Sequence, residues 1–195
     1  MSFKKPEGYD EAEAKEFGER TELPPGGYVC EIKNAYPRQS KKGNQMMVLE
    51  LDIAEGEYAG YISNLPENLQ FQGRFYQLTE GASLPFFKGL IQAIERSNEG
   101  YKFDWGDPQN DRSLIGLQVC GVFGKEQYQS NMDGSLQWST RLVRITTLEA
   151  LQNGDVKPPK DKYLPGQYAN TSPPPSNNGS FFEVDNNLSG DDLPF

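Results

Sequence analysis

Between residues 28 and 145, apolar side chains recur at every second position in several short runs, and only one run keeps helical spacing. Period two lines one face of a pleated strand, so the chain must bury several half-apolar strands around one helix. The first run is residues 28–36, where Tyr28, Cys30 and Ile32 alternate with Glu31 and Lys33. The second is 45–54, with Met47, Leu49, Leu51 and Ile53 on one face and Glu50 and Asp52 on the other. Residues 58–65 read as a third strand, from Tyr58, Tyr61 and Ile62. Residues 66–82 fit a short strand or a wide loop carrying Arg74. Ser83 is a candidate helix cap, Pro85 is tolerated in a first turn, and Phe87, Leu90, Ile91 and Ile94 follow at helical spacing. Residues 114–123 and 136–145 read as the fourth and fifth strands. Asp133-Gly134 marks the hairpin between them.

Strand, strand, strand, helix, strand, strand is the element order of an OB-fold, a five-stranded Greek-key barrel with its helix between strands 3 and 4. The expected class is therefore mainly β. Residues 23–151 would form this domain, behind a loosely held arm at 1–22. From 152 to 188 the chain is rich in Pro, Asn, Ser and Gly, including Pro173-Pro174-Pro175 and Asn177-Asn178. Too little apolar surface is present there to offset the entropy of ordering, so a disordered linker is expected. Residues 189–195 form a separate acidic tip.

The net charge is −9, and it is spread evenly: residues 1–25, 26–150 and 151–195 are each −3. This is not the basic balance of a duplex-DNA binder. With 11 Phe, 10 Tyr and 2 Trp, the chain is better suited to stacking than to electrostatic capture. Cys30 and Cys120 each sit in an apolar run and read as buried thiols in a reducing compartment. There is no His, no phosphate-cradling Gly-rich loop and no nucleophile elbow. Asp104 and Asp107 read as loop carboxylates. Neither an enzyme nor a cofactor is expected. No run is apolar enough for a signal peptide or a membrane span, so a cytoplasmic location is expected.

The tip is built as a ligand. Asp191 and Asp192 precede Leu193, Pro194 and Phe195. Pro194 biases Leu193 to an extended conformation, and Phe195 offers an aromatic anchor beside carboxylates suited to an Arg or Lys cluster. The segment resembles the acidic tip of bacterial single-stranded DNA-binding proteins, with Leu193 where that family commonly has Ile. The resemblance implies recruitment of replication, recombination and repair proteins through the tip. Three further stretches are similar to single-stranded DNA-binding proteins from bacteriophages of Gram-positive hosts. They are Leu23-Pro24-Pro25-Gly26-Gly27-Tyr28, the run from Val48 through Asp52 to Tyr58, and Gly121-Val122-Phe123-Gly124. This similarity covers about residues 23–150 plus the tip. It departs from the cellular proteins at nearly all core positions, so their homotetramer interface does not carry over, although a homo-oligomer is compatible with the sequence.

OB domains bind oligonucleotides on the strand 2–3 face, between the first hairpin loop and the strand 4–5 loop. That expectation selects Lys33 and Tyr36 on the first strand, and Arg38, Lys41 and Lys42 in the loop after it. It also selects Phe123, Lys125, Tyr128, Trp138, Arg141 and Arg144 around the last hairpin. Arg74, Tyr76 and Trp105 join them from the region between. Each aromatic has an ordinary alternative use as core, and each cation as a solvated surface group. The expected function is sequence-tolerant binding and protection of single-stranded DNA during replication, recombination or repair. The alternative is an acidic protein that mimics DNA, or borrows the tip, to inhibit a host enzyme.

Overall fold

The computed structural model describes residues 4–5, 8–10, 22–130 and 133–164. Five strands form one antiparallel sheet: β1 (Gly26–Gln39), β2 (Gln45–Ile53), β3 (Arg74–Leu78), β4 (Gln118–Gln129) and β5 (Leu136–Thr146). Their order across the sheet is β3-β2-β1-β4-β5. Helix α1 (Leu84–Ser97) lies between β3 and β4, and a short α2 (Leu148–Gln152) follows β5. The central strand β1 is long because it serves two partners. Its first half, Gly26–Glu31, pairs with β4, and from Cys30 to Gln39 it pairs with β2.

The core lies on one face of this sheet. Cys30, Ile32, Leu49, Leu51 and Ile53 from β1 and β2 meet Val119, Phe123 and Leu142 from β4 and β5. Helix α1 closes the cluster with Phe87, Leu90, Ile91 and Ile94, the residues whose spacing marked the helix in the sequence. Pro85 does sit in its first turn, but the Ser83 side chain makes no capping hydrogen bond. The chain instead enters through a 3-10 turn at Gly81–Ser83.

The third strand is not at 58–65. Those residues form turns, and β3 lies at Arg74–Leu78, after a 3-10 helix at Glu67–Gly73. The reason is Asp52. Its buried carboxylate accepts hydrogen bonds from the backbone N–H of Ile53 (2.8 Å), Ile62 (2.9 Å) and Ser63 (3.2 Å), and from the Ser63 hydroxyl. A carboxylate holding those backbone groups folds the segment back, and Ile62 reaches the core from a turn.

The last hairpin is longer than its alternation suggested. β4 pairs with β1 only up to Phe123, while β4–β5 pairing continues to Gln129 and Leu136. This arm projects past β1 and leaves one edge of β4 unpaired by it. The chain after α2 fills that edge. Lys162 N–H donates to the Lys125 carbonyl at 2.9 Å, and Gln127 N–H donates to the Lys162 carbonyl at 2.8 Å. The domain therefore does not end at 151: a strap over residues 153–164 runs back along the sheet. Two glycines seat it. A Cβ at Gly27 would lie 2.7 Å from Val156, and one at Gly124 would lie 2.5 Å from Pro159. The expected arm at 1–22, the linker beyond 164 and the tip with Asp191, Asp192, Leu193, Pro194 and Phe195 fall largely or wholly outside the described residues.

Candidate nucleic-acid interface

Side chains directly opposite each other on neighbouring strands share a face. Asn34, Glu50 and Arg74 form one such row across β1, β2 and β3. Tyr36, Val48 and Tyr76 form the next, and Arg38, Met46 and Leu78 the third. This is the face opposite the core, yet Val48 is fully buried and Met46 nearly so. Val48 is flanked by the half-buried Tyr36 and Tyr76. Three elements thus bring Tyr36, Arg38, Arg74 and Tyr76 onto one surface, although 40 residues of sequence separate the first from the last.

Glu50 organises this surface, and it was not among the residues singled out in the sequence. Its Oε1 accepts from Arg74 Nε at 2.8 Å and from the Tyr36 hydroxyl at 3.4 Å, and its Oε2 accepts from Asn34 Nδ2 at 3.2 Å. Burial raises the Tyr36 phenol above its ordinary pKa, and the Glu50 carboxylate raises it further. Desolvation is the largest influence on the Arg74 guanidinium and pulls it down, but attraction and hydrogen bonding to Glu50, with Tyr36 and Tyr76, together outweigh it and the net shift is upward. Both side chains keep their protons at neutral pH. Arg74 meets Glu50 through Nε, and its guanidinium has further N–H donors that suit a phosphate.

The remaining candidates divide. Lys33 is the bulged residue of β1, between Ile32 and Asn34, and pairs with Glu31 at 2.8 Å. Lys41 and Lys42 are exposed in the turn between β1 and β2, while Arg38 lies on β1 itself. On the β4–β5 arm, Tyr128 and Trp138 are exposed, Arg144 is exposed opposite Val122, and Lys125 is half-buried, 4.0 Å from Glu22. Arg141 is a clamp: it donates to Glu126 at 2.9 Å and lies 5.2 Å from the centre of the Phe71 ring. Phe71 comes just before β3, so this contact links the arm to the Tyr36–Tyr76 surface.

One expectation fails. Phe123 has no exposed surface and packs edge-on against Tyr28, with ring centres 5.8 Å apart, so it cannot stack on a base. The period-two alternation was the available signal: Phe123 pairs with Leu142 on the core side. Trp105 is exposed and packs edge-on against Phe103 and against Phe87 of α1. Tyr163 was missed, because it lies in the Pro-rich stretch read as linker. It packs edge-on to Trp138.

Among the described residues no cluster of His, Cys, Asp and Glu could hold a metal ion, and no helix is long and apolar enough to cross a membrane. A family described as a protein of unknown function, DUF669, matches residues 7–65, which include β1 and β2. No curated protein matches the chain.

Proposed function

We propose that the chain is a non-enzymatic single-stranded DNA-binding protein with an OB barrel, and that it coats DNA with little sequence preference. The strand order β3-β2-β1-β4-β5 supports the barrel reading, because closing β3 onto β5 yields the OB connectivity. The contact between Phe71 and Arg141, across those two edges, favours closure. The observation that carries the function is the Tyr36–Val48–Tyr76 row with Arg74 and Arg38 beside it. Aromatic faces stack on any base, and the neighbouring cations follow the phosphates. The tip at 189–195 would then recruit replication, recombination or repair enzymes to the coated strand.

Alanine at Tyr36 or Tyr76 tests this reading. Loss of one stacking ring is expected to weaken binding of an oligo-dT strand by about 5-fold to 100-fold. Circular dichroism checks that the sheet is intact. Wild-type affinity in both variants would remove this face from the site.

A further inference from the structure

The strap builds a second aromatic surface on the β4–β5 arm. Trp138 and Tyr163 meet edge to face, with ring centres 5.2 Å apart and planes at 81°. Both keep about two-fifths of their surface open, 39% for Trp138 and 43% for Tyr163. Gln127 lies between their strands: it is opposite Trp138 in the β4–β5 ladder, and its N–H binds the carbonyl of Lys162. Each ring is covered in part by the other and open over the rest. These two leave a right-angled nook, with a face for stacking a base and an edge beside it.

The surrounding charge selects the occupant. Residues 124–144 carry Lys125, Arg141 and Arg144 against Glu126 and Asp133, a net +1. The strap adds Lys157, Lys160 and Lys162 against Asp155 and Asp161, bringing the arm to +2 in a chain of −9. Glu126 would repel a phosphate, but Arg141 at 2.9 Å and Lys162 at 2.7 Å both pair with it. An aromatic nook on a locally cationic arm suits a polyanion with stackable bases.

We propose that Trp138 and Tyr163 form a second base-stacking site for single-stranded nucleic acid, completed by the strap. This rests on the single-strand-binding function proposed above and extends the binding unit to residue 164. Val156 and Pro159 hold the strap on Gly27 and Gly124, so removing the Tyr163 ring leaves its seats in place.

The test uses the full chain with Trp105→Phe, which leaves Trp138 as the sole tryptophan, and a labelled dT strand of about 30 nucleotides. Anisotropy of the label reports binding, and indole emission reports on Trp138. Emission is expected to fall in step with the rise in anisotropy. Tyr163→Ala in the same background is expected to weaken binding at least about fivefold, and Tyr163→Phe to preserve it. Binding with unchanged indole emission, or with unchanged affinity in Y163A, overturns this site and leaves the Tyr36 surface standing. Absence of any anisotropy change overturns both.

Discussion

Single carboxylates and thiols set the local environments of this protein. Glu50 fixes Arg74 and Tyr36, so the proposed binding surface is held in place by the protein's own contacts. Cys30 shows the opposite use of burial. Enclosed in the core, its thiol is pushed up to about 12, chiefly by desolvation. An acid whose pKa is raised on folding contributes its full stability below the unfolded value, about 8.5 for Cys, and loses it as pH rises through the folded one. The urea midpoint is therefore expected to fall between about pH 8.5 and pH 12, and to fall less steeply in Cys30→Ala. Equal slopes in the two proteins would show that another group governs the alkaline limb.

At the scale of elements, the turn over residues 54–65 depends on one side chain. Removing the Asp52 carboxylate leaves the N–H groups of Ile53, Ile62 and Ser63 without their acceptor. Asp52→Ala is expected to cost about 2–4 kcal/mol in chemical denaturation, with Asp52→Asn less damaging. A midpoint within error of wild type would mean that water replaces the carboxylate. This turn is also where sequence reading failed. Tyr58, Tyr61 and Ile62 all reach the core, which imitates a strand, yet they do so from turns tethered by a buried polar residue. The long β4–β5 arm was curtailed for a related reason. Beyond Phe123 neither face is enclosed by the core, so the alternation that marks a strand disappears at Lys125-Glu126-Gln127. Where one face is core, as in β2 and α1, the pattern and the structure agree closely. The row Tyr36–Val48–Tyr76 needed the register of three strands, whereas its members were individually visible as aromatics near cations.

At the scale of the whole molecule, a chain of net charge −9 is proposed to bind a polyanion. Under the proposed function the answer is local arrangement: cations and open rings gather on one sheet face and one hairpin arm, and the acidic tip would serve as a tether. The most direct test is titration of a labelled dT strand of about 30 nucleotides with the full chain and with a chain lacking residues 189–195, at low and moderate salt. Binding is expected to weaken as salt rises, with a slope of only a few phosphate contacts, and to be equal or tighter without the tip. Failure of the full chain to bind at low salt, or loss of binding when the tip is removed, would contradict the proposed function.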